Sequence, residues 1–395
     1  MFTYILWAVT VLIAVVRSTP TSVPSGRYLI GFNEGVNVAE HVQWARDLHE
    51  RNFVKRFDRK PRSDGVETVF RRINAYVGHF DVETIEELKT SPDVTYVELD
   101  QQFELFDASS SNFVTQQGAP WGLGLISHRD LNTTDYIYDS SAGEGHYAYV
   151  LDSGINVEHV EFGGRASLGY NAVGSPEDHI DDTGHGTHVA GTIGSTTYGV
   201  AKRCNLISVK ITNVTGLYFS ALIDGLDWAL DDMITNNRLE KSVVNISGGG
   251  PTSTAVDNAV RQAYQSGMTI VAAAGNGNRS ASYVSPAGAL GVIAVASVDR
   301  SKKRAVLSNY GGTIDIFAPG EDTLSTWIGN STATHVTNGT SMASPHVAGT
   351  VLYLQKLEGL TTPDQVLERL VELSVKDVVQ DAQGSPNRLL YTGAA

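Results

Sequence analysis

Three short segments carry side chains that together can perform nucleophilic catalysis. They are Asp152-Ser153-Gly154, Gly184-His185-Gly186-Thr187-His188 and Gly339-Thr340-Ser341-Met342-Ala343. A serine becomes a strong nucleophile when a histidine removes its proton, and a carboxylate that holds the imidazole tautomer completes the set. The segments therefore offer one residue for each role: Ser341 as nucleophile, His185 as base and Asp152 as the orienting group.

The two histidines of the second segment have a rival interpretation as metal ligands. The zinc-binding helix motif places its histidines at i and i+4, with a glutamate after the first. Here His185 and His188 are three residues apart, and Gly186 follows the first. This spacing favours His185 as a base and His188 as a buried, hydrogen-bonded residue.

Asp152 and Ser341 also have simpler interpretations as helix caps. The apolar run 342–354 predicts a central buried helix, and Pro345 is tolerated only in a first turn, so the helix should begin near Ser341. Free N–H groups and the positive dipole end at such a start suit a developing oxyanion. The presence of all three segments favours catalysis over capping.

A regular alternation of apolar strands and amphipathic helices must position these residues. From Tyr147 onward the pattern predicts strands over 148–151, 206–211, 243–246, 269–274 and 292–298, with helices over 219–234 and 254–266 and a late helix opened by Thr362-Pro363. Continuous apolar runs are typical of strands buried on both faces. The sequence therefore predicts an α/β domain, a mostly parallel central sheet with helices on both faces. Asp152 then stands at the carboxyl end of a strand, where functional groups collect.

The preceding residues follow a different pattern. Strands over 27–32, 73–80 and 95–99 alternate with helices over 38–51 and 81–88, which predicts a small α+β domain of the split βαβ type. The polar stretch 107–112 then has the character of an exposed, protease-sensitive linker.

The first residues predict a secretory signal peptide. Phe2 to Val16 are almost wholly apolar, and the run stops at Arg17, which makes it too short to span a bilayer comfortably. Cys204 is the only cysteine, so the chain forms no internal disulfide, and its apolar setting predicts a buried structural residue. A secreted protein without disulfides needs another stabilising link, and metal ions are a common one. The net charge of −14 argues against a nucleic-acid partner.

The active-site segments resemble those of the subtilase family of serine proteases, and most closely its proteinase-K-like branch. The chain order Asp, His, Ser is the subtilisin order. The strands Ile73-Asn74-Ala75-Tyr76-Val77-Gly78-His79-Phe80 and Thr95-Tyr96-Val97-Glu98 resemble the inhibitory propeptide of that family. The resemblance implies a signal peptide (1–18), an inhibitory propeptide domain (19–113) and a subtilisin-like peptidase domain (114–395).

The resemblance implies further site residues. Asn276 would donate its side-chain amide to the oxyanion, with the Ser341 backbone N–H as second donor. A peptide substrate would lie as an added strand between the stretch 213–219 and the substrate-binding residues Ile246, Ser247, Gly248 and Gly249. A wide, uncharged S1 pocket would be walled by small residues, namely Ser247, Gly248, Ala273, Ala274 and Gly275. Separately, a structural Ca²⁺ would be held by Asp315 together with backbone carbonyls near Leu290 and Val292.

The expected protein is a secreted, extracellular, monomeric serine endopeptidase that prefers large apolar or aromatic P1 residues. It would be made as a self-processing zymogen, cut between Asp107 and Gln117, directly after Phe113. Its partners would be protein and peptide substrates and its own propeptide, with no nucleic acid and no membrane. A secreted esterase needs Gly-x-Ser-x-Gly, which Gly339 to Ala343 does not provide. An inactive binding protein built on a protease scaffold normally lacks a catalytic residue, whereas this chain has Asp152, His185, Asn276 and Ser341.

Two residues depart from the family pattern. Val189 stands where some relatives have a cysteine next to the active-site histidine, and Ser153 stands where Thr is commoner.

Overall fold

The computed structural model describes residues 26–33, 35–57, 65–100, 112–129, 134–175 and 177–394. The predicted signal peptide and residues 107–111 of the predicted linker lie outside them. The chain divides into two compact units, with the boundary between Asp107 and Ala108. Within the described ranges, none of the helices combines the length and hydrophobicity that crossing a bilayer requires.

The first unit is a four-stranded antiparallel sheet with two helices. Its elements are β1 (Gly26–Phe32), α1 (Val38–Phe57), β2 (Val66–Phe70), β3 (Ala75–Phe80), α2 (Val82–Thr90) and β4 (Val94–Leu99). The strand order β2-β3-β1-β4 is that of a split βαβ unit, and Asp81 caps α2 by accepting from the backbone N–H of Thr84. The alternation of strands and helices is confirmed. The edge strand β2 was not predicted, because it is short and only its first residue, Val66, is buried.

The second unit holds the other elements. In chain order they are β5 (Phe113–Gln116), α3 (Trp121–Ser127), β6 (Tyr136–Asp139), β7 (Tyr147–Asp152), β8 (Ala166–Asn171), α4 (His185–Gly194), β9 (Asn205–Lys210), β10 (Thr212–Asn213), β11 (Gly216–Leu217), α5 (Phe219–Thr235), β12 (Ser242–Ile246), β13 (Gly250–Pro251), α6 (Thr254–Gln265), β14 (Ile270–Ala273), β15 (Val284–Ser285), β16 (Val292–Val298), β17 (Ile316–Pro319), β18 (Thr323–Thr326), β19 (Thr334–Thr337), α7 (Thr340–Glu358), α8 (Pro363–Leu373), β20 (Val375–Lys376) and β21 (Arg388–Leu389).

A nine-stranded sheet forms the centre of this unit, in the order β20-β21-β17-β16-β14-β12-β7-β9-β8. All neighbouring pairs in it are parallel except β20 with β21. From β7 the chain passes to the edge strand β8, returns to β9 beside β7, and then crosses to β12 on the other side of β7. The strand order therefore reverses at β7, and ligand sites of open α/β sheets lie at the carboxyl ends of strands at such a point.

Both faces of the sheet are covered, which confirms the predicted layers. On β7, Ala148 and Val150 belong to the core that contains α4 and α7, whereas Tyr149 and Leu151 belong to the core that contains α5 and α6. Successive side chains of a strand point to opposite faces. A strand with a core on each side must therefore be apolar throughout, which explains the unbroken apolar runs of the sequence.

Several short pairings were not predicted. β5 pairs with β6, β10 with β11, β13 with β15, and β18 with β19, all antiparallel. Phe113, after which cleavage is expected, is the first residue of β5 and lies opposite Asp139 of β6. Strands of two to four residues give too little hydrophobic alternation to be recognised from a sequence.

Candidate active site

Asp152 and His185 form a hydrogen-bonded pair at the carboxyl end of β7. Asp152 ends β7 and is 4% exposed, and His185 begins α4. His185 Nδ1 lies 2.7 Å from Asp152 Oδ1. Gly186 permits this approach, because a Cβ there would lie 2.1 Å from the carbonyl oxygen of Gly154. With Nδ1 donating to the carboxylate, Nε2 is the nitrogen that can accept a proton.

The surroundings of His185 make it a better base than a free imidazole. Burial lowers its pKa, but the charge and hydrogen bond of Asp152 raise it, and Asp181 adds to the increase, so the pKa of His185 is raised overall. The ring takes up a proton below this raised pKa and is neutral above it. His185 can therefore act as a general base only at a pH above the pKa of an ordinary histidine.

A second buried carboxylate, Asp181, holds the segment that leads into α4. Its Oδ1 accepts from Ser153 Oγ at 2.8 Å and from the backbone N–H of Gly184 at 2.9 Å. Its Oδ2 accepts from the backbone N–H of Thr187 at 2.9 Å and from Thr187 Oγ1 at 2.6 Å. Asp181 thus joins the residue after Asp152 to the residues on either side of His185.

Lys210, at the end of β9, ties the same two segments together with a positive charge. Its side chain is 2% exposed. Nζ donates to the carbonyl oxygens of Ser153 and Ile180, each at 2.8 Å, and lies 3.4 Å from Asp182 Oδ1. Neither Asp181 nor Lys210 was assigned a role from the sequence. The available signal was a lysine that ends an otherwise apolar strand next to the Asp152 strand.

Ser341 lies in the first turn of α7, as predicted, and exchanges two hydrogen bonds with Ser247. Ser341 Oγ donates to the carbonyl oxygen of Ser247 at 2.9 Å, and Ser247 Oγ donates to the carbonyl oxygen of Ser341 at 2.9 Å. In this arrangement the Ser341 hydroxyl points to Ser247 and not to His185. Catalytic hydrogen bonds are often unformed without substrate.

Pro345 explains the second of these bonds, although the expectation that it lies in the first turn of the helix is wrong. α7 begins at Thr340, so Pro345 is its sixth residue and lies beyond the first turn. Proline has no N–H, which leaves the carbonyl of the residue four positions earlier, Ser341, without its helical partner. The hydroxyl of Ser247 supplies that partner.

Asn276 follows β14, with its amide oriented by Thr340. Asn276 Oδ1 accepts from the backbone N–H and from the hydroxyl of Thr340, both at 2.9 Å. The same hydroxyl accepts from the backbone N–H of Gly275 at 3.1 Å. Because two donors fix the position of Oδ1, the NH₂ group of Asn276 must take the other position. It is left free to donate to an oxyanion.

A cavity of about 400 Å³ adjoins Ser341. The predicted wall residues Ser247, Gly248, Ala273 and Gly275 line it, as does Gly249. Two predicted residues do not. Ile246 packs in the core with α5 and α6, and Ala274 is fully buried in another core cluster.

The cavity also contains a charged residue that the sequence prediction omitted. The exposed side chain of Arg279 is among its lining residues. The backbone N–H of Arg279 donates to Asn309 Oδ1 at 3.1 Å, and the amide of Asn309 donates to the carbonyl of Ala274 at 2.8 Å. The cavity predicted to be the S1 pocket is therefore lined by small residues, as expected, but a charged side chain lines it as well.

The three residues predicted to hold calcium line one cavity of about 330 Å³: Asp315, Leu290 and Val292. Burial raises the pKa of Asp315 to about 6, and its Oδ2 accepts from the backbone N–H of Ala294 at 2.8 Å. A carboxylate oxygen is among the ligands that Ca²⁺ prefers. Within the described ranges there is no cluster of three or more His, Cys, Asp or Glu side chains suited to a metal.

His188 and Cys204 have structural positions. His188 Nε2 lies 3.0 Å from the carbonyl oxygen of Thr323 and 3.2 Å from that of His335, and burial lowers the pKa of His188 to about 4. Cys204 is fully buried, and burial raises the pKa of its thiol to about 12. A neutral histidine and a protonated thiol fit the interpretation of both as core residues.

Two family models match this chain. Residues 143–389 match the model of the Subtilase family. This range includes Asp152, His185, Asn276 and Ser341. Residues 27–106 match that of Peptidase inhibitor I9. The second match covers the described part of the first compact unit.

The chain is similar to proteins of about its own length. Alkaline protease 1 of Emericella nidulans is 49% identical over 384 residues, 96% of this chain and 93% of that protein. An alkaline proteinase of Hapsidospora chrysogena is 46% identical over 398 residues, 98% of this chain and 97% of that protein. The crystal structure of a cold-adapted subtilisin-like serine proteinase is 40% identical and superposes with a TM-score of 0.67, covering 71% of this chain and 100% of that chain.

Proposed function

This chain belongs to the subtilase family of serine proteases, and on that premise we propose that it cleaves peptide bonds with Asp152, His185 and Ser341. The carrying observation is the short hydrogen bond between Asp152 and His185, which leaves His185 Nε2 as proton acceptor. Asn276 supports the proposal, because its amide oxygen is occupied by Thr340 and its NH₂ group is free.

The proposed reaction begins when substrate binds and the Ser341 hydroxyl turns from Ser247 toward His185. His185 takes the proton as Ser341 Oγ attacks the peptide carbonyl, and Asp152 stabilises the imidazolium that forms. The amide of Asn276 and the backbone N–H of Ser341 stabilise the oxyanion. His185 then gives its proton to the leaving amine, and water hydrolyses the acyl-enzyme by the same steps.

We expect substrate peptides to bind as an added strand along 246–249, opposite the stretch 213–219. That stretch contains β10 and β11, which form a two-residue pairing. The small residues of the S1 cavity favour large apolar or aromatic P1 side chains. Arg279 adds a positive charge at this cavity, so P1 Glu should be accepted better than P1 Lys at equal length.

We propose that the enzyme is a secreted, self-processing zymogen. The apolar run 2–16 supports a signal peptide, and the match of 27–106 to an inhibitor family supports an inhibitory propeptide. Processing is proposed within 107–117, directly after Phe113. Because Phe113 is paired in β5, cleavage there requires that β5 is not yet paired with β6. A Ser341→Ala chain should remain unprocessed, and separately made residues 19–113 should inhibit the mature enzyme.

The N-terminus of the mature protein decides this part of the proposal. Mass spectrometry of the secreted enzyme should give a start between Asp107 and Gln117. A start before Arg27 would show that the first unit is retained. A Ser341→Ala chain that matures in cells without other proteases would disprove self-processing.

We propose that Asp315 and the carbonyls of Leu290 and Val292 hold a structural Ca²⁺. The buried carboxylate with a raised pKa supports this assignment, because a bound dication would favour its ionised form. The ion would stabilise the fold and take no part in peptide cleavage.

One experiment separates peptidase activity from its two rivals. The protein is treated with a fluorophosphonate probe and assayed in parallel with casein and a short-chain ester. Labelling together with casein cleavage is the expected result. Ester turnover without peptide turnover would identify an esterase, and a protein that neither reacts with the probe nor cleaves casein would be an inactive scaffold.

A further inference from the structure

A second cavity of the protease unit, of about 570 Å³, shares no lining residue with the catalytic cavity. Three cationic side chains line it, Arg165, Lys202 and Arg203, against one carboxylate, Glu144. In a chain with a net charge of −14, such an excess of positive charge in one concave site is unusual. Concave sites of one charge sign concentrate ions of the opposite sign.

Lys202 is the most deeply buried of the three cations. It is 7% exposed. Its Nζ donates to the carbonyl oxygens of Thr196 and Thr197, at 3.1 and 3.3 Å, and lies 5.1 and 5.5 Å from the ring centroids of Tyr136 and Tyr138. These partners are all uncharged, and a buried charge is normally paired with an opposite one.

The carboxylate that attracts Lys202 is already engaged by other donors. Glu161 attracts Lys202 electrostatically. However, its Oε2 accepts from the backbone N–H of Thr197 at 2.6 Å, and its Oε1 accepts from Thr197 Oγ1 at 2.7 Å. Glu161 therefore only partly compensates the Lys202 charge.

Arg165 adds a second cation with uncharged partners. Its Nη1 donates to the carbonyl oxygens of Gly194 and Cys204 at 2.6 and 2.9 Å, and its Nη2 donates to the backbone carbonyl of Glu161 at 3.2 Å. Arg203 stands at the solvent side, with Nη2 2.7 Å from Glu144 Oε1 and both side chains more than half exposed. That exposed pair can open at little cost.

We propose that this cavity is a binding site for a small divalent oxyanion of the sulfate or phosphate type. Lys202 and Arg203 would contact the anion, and Arg165 would contribute positive electrostatic potential without contacting it. Charge-assisted hydrogen bonds to an oxyanion would repay the desolvation of the Lys202 ammonium. The anion would link the start of β9 to β6 and to the loop after α4, and would stabilise the folded enzyme.

Binding should depend on the protonation of Lys202. Burial lowers the pKa of Lys202 to about 7, against the attraction of Glu161 and together with the repulsion of Arg165. Around it stand Glu161, Glu144, Arg165 and Arg203, and the phenols Tyr136 and Tyr138, whose pKa values burial raises. Lys202 should therefore be charged and anion-binding at pH 6, and largely neutral at pH 9.

Sulfate is the appropriate probe, because it keeps a charge of −2 throughout this pH range. Its binding to the mature enzyme, inactivated at Ser341 by a fluorophosphonate, is measured by isothermal titration calorimetry at constant ionic strength set with NaCl. A saturable heat distinguishes a site from the general stabilising effect of sulfate, which arises from exclusion from the surface. Phosphate is titrated in parallel.

We expect one-to-one sulfate binding at pH 6 that weakens about 100-fold by pH 9, because affinity falls about tenfold per pH unit above the pKa of a group that must be charged, and pH 9 lies two units above a pKa of about 7. Lys202→Met should abolish binding, whereas Lys202→Arg should bind with little pH dependence, because arginine stays charged. Lys376→Met, which removes an exposed lysine elsewhere, should bind as the parent does.

The exposed Arg203 gives a second test that does not disturb the core. Arg203→Gln should weaken sulfate binding several-fold and keep its pH dependence. Absence of saturable binding to the parent enzyme at pH 6 would overturn the proposal. So would unchanged binding in either Lys202→Met or Arg203→Gln. These outcomes are independent of peptidase activity, which is measured on separate samples.

Discussion

The two halves of the active site are supported by different kinds of interaction. Asp152 and His185 are held by buried charges, since Asp181 and Lys210 bind the segments around them. Ser341 and Asn276 are held by neutral hydroxyl and amide groups. The general base thus lies among buried charges, and the nucleophile and oxyanion donor lie among neutral dipoles.

The difference has a consequence for catalysis. Charges around His185 set the pH at which it becomes a base, because the two protonation states of the imidazole respond to them differently. Neutral hydrogen bonds around Asn276 fix the direction of a donor and change the energy of the oxyanion alone. Changes on the charged side should alter the pH profile, and changes on the neutral side should alter kcat at all pH values.

Asn276→Ala tests the neutral half most severely. Loss of the amide donor should lower kcat by about 10²–10³-fold, the effect measured for loss of such a donor in a subtilisin, and should leave KM nearly unchanged. Steady-state kinetics on a peptide substrate give both constants. A change in KM alone would mean that Asn276 binds the ground state of the substrate.

Lys210→Met tests the charged half. Hydrogen bonds from a charged group contribute about 1.5–3 kcal/mol, so misplacement of the Asp152 and His185 segments should lower kcat about 10- to 100-fold. Loss of a positive charge should also favour the imidazolium, so the acid limb of kcat/KM should move to higher pH. Lys356→Met, at an exposed lysine, is the control. A lower kcat with an unmoved acid limb would reduce Lys210 to a structural role.

Thr340→Val is the matched change on the neutral side. It removes the hydroxyl that donates to Asn276 Oδ1 and keeps the shape of the side chain. Neutral hydrogen bonds contribute about 0.5–1.5 kcal/mol, which predicts a fall in kcat of about 3- to 10-fold. The pH profile should keep its position. A shifted acid limb in this variant would remove the distinction between the two halves.

Asp315→Asn should affect stability more than catalysis. The folded-state pKa of Asp315 is raised from 3.8 to about 6, so its contribution to stability falls as pH rises through 6, by about 3 kcal/mol at most. With a chelator at pH 8, the variant should therefore melt above the parent enzyme. With excess calcium the parent should melt higher, because Ca²⁺ binds the folded state. Equal midpoints for the parent in chelator and in calcium would contradict the calcium assignment.

The sequence was sufficient for the catalytic residue types and for the five inner strands β9, β7, β12, β14 and β16 of the nine-stranded sheet, whereas the outer strands β8, β17, β20 and β21 were not predicted. The strands buried on both faces and the start of α7 near Ser341 have local signals, namely apolar runs, glycines and proline. The position of Asp152 at a strand end follows from the same pattern. These features depend on residues close together in the chain.

Three contacts between distant residues were not predicted. The bond between Ser341 and Ser247 joins residues 94 positions apart, and the presence of Arg279 at the S1 cavity depends on the course of the loop after β14. Lys210 was assigned no role, because its two shortest hydrogen bonds are to the carbonyl oxygens of Ser153 and Ile180, which residue types do not reveal. Tertiary packing decides all three.

The most direct test of His185 as base and Ser341 as nucleophile is the pH dependence of fluorophosphonate labelling, with the adduct located by peptide mass spectrometry. The adduct should lie on Ser341. The labelling rate should rise with pH as His185 loses its proton, and the midpoint of this rise should lie above the pKa of an ordinary histidine. Ser341→Ala should not be labelled. An adduct on another residue, or labelling of Ser341 at a rate that ignores pH across the histidine range, would contradict the assignment of His185 and Ser341 as base and nucleophile.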